Sequence, residues 1–387
     1  MKQLHTTIFT TMSALAHEFG AVNLGQGFPD FAADPRLLQA AFDAMTSGHN
    51  QYAPMMGTRA LREAIAALTF QNYGHVADID ANITITVGAS EALFSAIGAI
   101  VEPLDEVVIL EPAYDLYRPA ITHAGGVAVS VHLAFINDKF TVDWQAVRAA
   151  ITPKTRAIIV NTPNNPTGNT FSADDLIALE HIAQQHDIWV ISDEVYEHMV
   201  FDGQKHQSAL LRPALAARTI YVASFGKTLH VTGWKIGYTI APAHLTAAIR
   251  AVHQFNAFCV ATPLQIGIAN YLQQNPATTQ ALPDFYAAKR DAFRAGLSRT
   301  DFKILPVEGT YFQLVDYSHL QKFAHMSDVE FAVYLTKTVG VAAIPLSAFY
   351  ANAPAHQKIV RFCFAKQPQT LALALEKLTA HFGVDRA

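Results

Sequence analysis

The 387-residue chain is 51% hydrophobic and 15% charged, with a formal net charge of −5 at pH 7. A chain of this length holds two or three domains, and a balance this apolar excludes disorder and predicts segments buried on more than one side. Mixed placement of Lys and Arg leaves no basic stripe for nucleic acid, and no apolar run approaches the ~20 residues of a membrane span, so neither partner is expected.

The N-terminal stretch breaks its apolar positions with His17 and Glu18 and does not read as an export signal. The first forty residues hold no sheet-like run of their own and are expected to pack with a C-terminal unit. A series of short, nearly continuous apolar runs follows: Ile83–Val87, Glu106–Leu110, Ala157–Asn161, Ile188–Ser192, Ile220–Ser224 and Ile236–Ala241. Runs of this kind suit strands covered on both faces. Between them lie helical patterns such as Ser172 to Gln185, which opens on a cap candidate, Ser172, with Asp174 and Asp175 where the helix dipole favours acids. Strands alternating with helices predict a mostly parallel α/β sheet. From about Leu282 the pattern changes to a helix (Asp284 to Leu297), alternating segments at Phe302–Pro306 and Thr310–Asp316, and a helix near Asp328–Val339. The expected division is an N-terminal segment (1–40), a large α/β domain (41–283) and a small α+β domain (284–387).

The two cysteines, Cys259 and Cys363, are far apart, which excludes a disulfide framework and points to a reducing cytoplasm. Seventeen histidines include no metal-ligand spacing; His181 and His186 flank a polar helical stretch and read as solvated surface, so no metal is expected.

Ligands of α/β sheets sit at the carboxyl ends of the strands, and four polar groups fall there. The run ending at Val87 enters Gly88-Ala89-Ser90-Glu91, whose backbone amides open a helix and can hold a phosphate, although βα turns of this kind often bind nothing. The run ending at Asn161 meets the turn Thr162-Pro163-Asn164-Asn165-Pro166-Thr167-Gly168, which is stiff and polar. Asp193, Glu194 and Tyr196 follow the third run; a carboxylate there needs a partner, either a salt bridge or a protonated pyridine nitrogen. Ser224-Phe225-Gly226-Lys227 ends the fourth, with Gly233-Trp234-Lys235 close behind. A lysine just past an apolar strand can be desolvated into a usable amine, or can snorkel to the surface.

Taken together, the spacing of Asn165, Asp193, Tyr196, Ser224, Lys227 and Lys235 resembles the class I/II aminotransferases of fold type I. The likeness covers nearly the whole chain, from Asn23-Leu24-Gly25-Gln26-Gly27-Phe28 through Asn50-Gln51-Tyr52 to Val360-Arg361-Phe362-Cys363-Phe364. Among these enzymes it is similar to the kynurenine, glutamine and bacterial methionine aminotransferases. The resemblance implies a seven-stranded, mostly parallel sheet between helices, with a smaller α+β domain built from both chain ends. It implies pyridoxal 5′-phosphate held as an imine on Lys227, which would also move the substrate proton. Asp193 would pair with the ring nitrogen, Asn165 and Tyr196 with the ring hydroxyl. Ala89, Ser90, Ser224 and Lys235 would hold the phosphate, Tyr114 would stack on the ring, and Asn161 would lie beside it. Tyr52 would enter from the second subunit of a homodimer with shared active sites. Arg361 would clamp the substrate carboxylate, assisted by Gly27 and Asn165, since its planar fork fits that group. Lys235 and Gly226 depart from the Arg and Ser/Thr of many class members and match the closer subgroup.

The implied reaction is transamination between an L-amino acid, methionine or an aromatic or kynurenine-like one, and a 2-oxo acid. The expected pocket wall is aromatic: Phe9, Phe28, Tyr114, Phe255 and Phe258. A β-lyase acting on cysteine conjugates would use the same lysine and clamp. A non-catalytic regulator on this fold would carry a DNA-binding extension, and a dehydrogenase would show GxGxxG after a strand.

Overall fold

The computed structural model describes residues 7–383. Its centre is a seven-stranded sheet of β1 (Ile83–Val87), β2 (Glu106–Glu111), β3 (Val127–His132), β4 (Thr155–Asn161), β5 (Trp189–Asp193), β6 (Thr219–Ser224) and β7 (Ile236–Ile240), in the order β1-β7-β6-β5-β4-β2-β3. Five neighbouring strands from β3 to β6 run parallel, and β7 lies antiparallel to both β1 and β6. The apolar runs of the sequence become these strands because both faces are covered: every residue of β6 and β7 is buried. The sequence reading had no counterpart for β3, an edge strand with only Val131 fully buried, so it lacks a continuous apolar run.

Helices cover the sheet, and their ends follow local chemistry. Ala173–Gln185 begins with the reciprocal capping box of Ser172 and Asp175. Gly88–Ile100 starts directly at the end of β1, where Gly88 takes φ +68°, a backbone region natural to glycine. Lys227 sits on the single helical turn Phe225–Thr228 that ends β6.

A second, antiparallel sheet holds β8 (Lys303–Ile304), β9 (Phe312–Asp316), β10 (Ile344–Pro345) and β11 (Ile359–Cys363), in the order β8-β9-β11-β10. The expected segment Phe302–Pro306 shrinks to the two residues of β8. The expected helix Asp328–Val339 is α-helical to Tyr334 and widens to a π-turn over Leu335–Val339, closed by Gly340 at φ +79°. The N-terminal chain joins this part of the molecule: Val22 and Asn23 pair with Val341 and Ala342. One apolar cluster runs from Met12 and Leu24 through Val108 and Ile158 to Phe362, so the small sheet and the central sheet share a core beneath the cleft.

Candidate active site

A cavity of about 500 Å³ opens at the carboxyl ends of β1, β4, β5 and β6. It gathers Gly27, Phe28, Ala89, Ser90, Tyr114, Asn161, Asn165, Asp193, Tyr196, Ser224, Lys227, Lys235, Arg361 and Phe9 from across the chain. All of these were singled out in the sequence; Tyr52, Phe255 and Phe258 are the candidates that do not line it.

One end of the cavity is built for an anion. The turn Gly88-Ala89-Ser90 packs against β7 so closely that a Cβ on Gly237 would lie 2.6 Å from the Gly88 carbonyl carbon and 2.7 Å from the Ala89 nitrogen. Lys235, left-handed at φ +55°, reaches over this turn with Nζ 3.5 Å from Ser90 Oγ. Strand register brings the other side in, since β7 pairs Gly237 with both Thr86 of β1 and Ser224 of β6. A helix N-terminus, a hydroxyl pair and an ammonium thus converge where a phosphate can bind.

In the middle lies a buried carboxylate. Asp193 is 3% exposed, and burial pushes its pKa up to about 6. Tyr117 donates its phenol to Asp193 Oδ2 at 2.6 Å, and Val195 N–H donates to Oδ1 at 3.3 Å; both favour the ionised form. Asn161 stiffens the neighbourhood: its amide donates to the Asp193 carbonyl at 2.8 Å, and its Oδ1 accepts from Asn165 N–H at 2.7 Å. The turn predicted to be rigid is therefore tied to the strand that carries the acid.

Lys227 points into the same space. Its Nζ lies 3.5 Å from the Gly27 carbonyl and about equally far from the Tyr196 and Tyr311 rings, at 5.8 and 5.9 Å. Burial pulls its pKa down to about 8, so near neutrality a usable fraction is the free amine. Burial likewise pushes the Tyr196 phenol up and keeps it protonated.

Arg361 closes the far end. It is 1% exposed, on β11, with its guanidinium carbon 3.8 Å from the centre of the Phe312 ring and 5.4 Å from that of Phe9. Nη1 donates to Asn165 Oδ1 and Nη2 to the Gly25 carbonyl, whereas Nε has no partner among the described residues. Burial lowers its pKa to about 10, which leaves it charged at neutral pH. Among the described residues no carboxylate forms an ion pair with it. A buried cation without an anion is costly, and an incoming carboxylate would relieve that cost.

Tyr52 and Phe258 pack edge to face at 5.4 Å, outside the cavity of their own chain. Phe255, also expected in the wall, is 87% exposed and likewise outside it. Sequence reasoning missed Asp115, Tyr117, Thr232 and Phe312. Asp115, Thr232 and Phe312 line the cavity, and Tyr117 stands behind Asp193. No motif marks them; Tyr117, on the helix that follows β2, meets Asp193 only because the sheet order sets β4 between β2 and β5.

A family model described as aminotransferase class I and II matches residues 20–378. The chain is 49% identical to methionine aminotransferase of Escherichia coli (strain K12), over 98% of this chain and 96% of the relative. It is 36% identical to kynurenine–oxoglutarate transaminase of Dictyostelium discoideum, over 96% of this chain and 93% of the relative. The solved structure of N-succinyldiaminopimelate aminotransferase from Mycobacterium tuberculosis superimposes with a TM-score of 0.93 at 43% identity, over 97% of both chains.

Proposed function

The chain belongs to the aminotransferase class I and II family, a pyridoxal-phosphate-dependent group of fold type I, and on that premise we propose that it transaminates methionine, or an aromatic or kynurenine-like amino acid, with Lys227 as the cofactor-bearing residue. The observation that carries the reading is the pairing, in one cavity, of a desolvated lysine with a buried arginine that forms no ion pair among the described residues. The residues fit the cofactor on two counts: the Gly88–Ser90 turn, held against β7 where Gly237 leaves no space for a side chain, lines the cavity beside Ser224 and Lys235, and Asp193 is a buried carboxylate that lines the same cavity.

Pyridoxal phosphate, when bound, supplies an electron sink that stabilises the charge left when the substrate Cα proton departs. Ala89, Ser90, Ser224 and Lys235 would hold its phosphate, and Tyr114 would cover its ring. Asp193 would keep a proton on the ring nitrogen, and Asn165 and Tyr196 would bond the ring hydroxyl. Lys227, neutral in part because it is desolvated, takes the Cα proton and returns it. Arg361 orients the amino acid by its α-carboxylate, with Asn165 and the Gly27 backbone beside it.

The wall supports a long apolar or sulfur-containing side chain. Phe9, Phe28, Tyr114 and Phe312 face the cavity, and thioether contacts with such rings contribute about 0.3–1.5 kcal/mol each. The 49% identical relative is a methionine aminotransferase. A kcat/KM panel of the common amino acids, each against several 2-oxo acids, tests this directly. Methionine and phenylalanine should lead; aspartate leading would overturn the pocket reading.

We also propose a homodimer in which Tyr52 and Phe258 complete the partner's site, since both rings are exposed and turned away from their own cavity. The division at residues 40 and 283 belongs to the same reading, supported by the pairing of Val22–Asn23 with Val341–Ala342. A cytoplasmic location accords with two free thiols, Cys259 and Cys363.

A further inference from the structure

His253 has no part in the chemistry above, yet it is among the most enclosed polar side chains of the molecule. It sits on the helix Ala243–Asn256, is 0% exposed, and has both ring nitrogens engaged. Nδ1 lies 3.0 Å from Glu91 Oε1, and Nε2 donates to the Met55 carbonyl at 3.1 Å, since a carbonyl oxygen can only accept. A buried ring held at both ends is fixed in orientation and ties together the elements that carry its two partners.

Those partners lie in different working parts of the molecule. Glu91 stands in the first turn of the helix Gly88–Ile100, where Oε2 accepts from Val87 N–H at 3.1 Å and Oε1 also accepts from Ser95 Oγ, so it is built into the anion cradle. Met55 belongs to the irregular segment 51–56 that carries Tyr52. Among the described residues three carbonyls anchor that segment to other elements: Gln51 accepts from Thr262 Oγ1, Met55 from His253, and Met56 from Ile85 N–H. The main chain of His253 adds a further tie. Its carbonyl accepts from the N–H groups of Ala257 and Phe258, both at 2.9 Å, and so shapes the turn that sets Phe258, left-handed at φ +67°, against the Tyr52 ring. One residue thus holds both members of the exposed ring pair.

On the proposed homodimer, on which this inference rests, that pair completes the partner's site. We propose that His253 is a positioning residue for the partner's site: its Nε2 bond to Met55 holds Tyr52, and with it Phe258, in the placement that site requires. The Nδ1 contact with Glu91 uses the cradle of its own chain as the fixed point. The consequence is directional. Loss of the Nε2 bond is felt across the subunit boundary, not in the site of the chain that carries the change.

Two substitutions separate the two bonds. The amide nitrogen of Gln overlays Nε2, so His253→Gln keeps a donor for Met55; that of Asn overlays Nδ1, so His253→Asn keeps the contact with Glu91 and loses Met55. The test uses purified heterodimers with a single live site: one chain keeps Lys227, and the other, Lys227→Ala, supplies Tyr52 and Phe258 to it. His253→Asn in the Lys227→Ala chain should lower kcat/KM, for the amino acid that leads the panel above, by about tenfold or more; a small misplacement far from the chemistry is enough for this. The same change in the chain that keeps Lys227 should cost no more than about threefold, and His253→Gln in the Lys227→Ala chain should cost equally little. A purely structural role would weaken both arrangements alike, because the two heterodimers have the same composition. Hydrogen exchange of the full-length homodimer gives a readout free of turnover. His253→Asn should speed exchange at residues 51–56 by about tenfold and leave residues 88–92 unchanged, and His253→Gln should leave both as in the wild type. If His253→Asn does not fold, His253→Leu, which fills the same space without a donor, serves the exchange measurement at 51–56. Equal losses in the two arrangements, or unchanged exchange at 51–56, would overturn the positioning role. Tyr52→Phe in the Lys227→Ala chain is the control: no loss at the live site would overturn the shared-site reading, and this inference with it.

Discussion

Asp193 shows how a single side chain depends on what surrounds it. Burial raises its pKa to about 6 from an ordinary value of 3.8, while Tyr117 pulls the other way through a 2.6 Å bond. An acid whose folded pKa is raised opposes folding once it ionises. In the cofactor-free protein its contribution is therefore neutral below about pH 4, and stability is lost as pH rises through 6. A hydrogen bond to a charged group contributes ~1.5–3 kcal/mol, so Tyr117→Phe should move the upper edge of this window upward by about one to two pH units. Denaturant titrations of the cofactor-free protein between pH 4 and 8 would show it as a longer decline than in the wild type. Coincident profiles would mean that Tyr117 contributes nothing to the ionisation of Asp193. Lys227 has the opposite sign: its pKa is depressed to about 8, so its burial costs stability below that pH and the cost fades as pH rises from 8 towards 10.5.

At the level of elements, the antiparallel β7 unites the two halves of the anion cradle. It carries Gly237 between the ends of β1 and β6, where any Cβ would collide with backbone at 2.6–2.9 Å. Backbone cannot yield as a flexible side chain does, so Gly237→Ala should cost about 1–3 kcal/mol of stability and displace the turn at Gly88–Ser90. The rate of cofactor release should rise clearly. Ser172→Ala offers the contrast, since loss of its capping box costs about 1 kcal/mol far from the cavity. Release rates measured by absorbance should separate the two variants; similar rates in both would show that Gly237 matters to stability alone. Ser172 was readable from sequence because a cap is a local signal. The edge strand β3 was not, because an element covered on one side alternates too weakly to stand out from a loop.

For the whole molecule, the exposed rings are the most informative surface feature. Tyr52 is 83% exposed and packs on Phe258, Phe255 is 87% exposed, and neither lines the cavity. Large apolar groups gathered on a surface mark an interaction site. If Tyr52 completes a partner's site, mixing Tyr52→Phe with Lys227→Ala should create heterodimers in which one site carries both changes and the other neither. Activity should then rise well above that of either variant, towards half that of the wild type per heterodimer. Verified heterodimers without recovery would argue that each chain builds its own site.

The sequence alone located most of the polar groups that line the cleft, because each sits at a local junction: an apolar run ends and a polar residue follows. Lys227 after β6, Asp193 at the end of β5, Asn165 in its proline-bound turn and the Gly88–Ser90 turn after β1 are all of this kind. The resemblance supplied Arg361 and Gly27, whose local surroundings say little about their use. Tertiary structure decided how these groups are tuned. The stacking of Arg361 on Phe312 and Phe9, the bond from Tyr117 to Asp193 and the nearness of Asp115 to Arg361 in the cavity join residues from distant parts of the chain. Desolvation and pairing depend on what lies within a few ångströms in space. Periodicity and motif spacing carry no record of that, because they describe only neighbours along the chain.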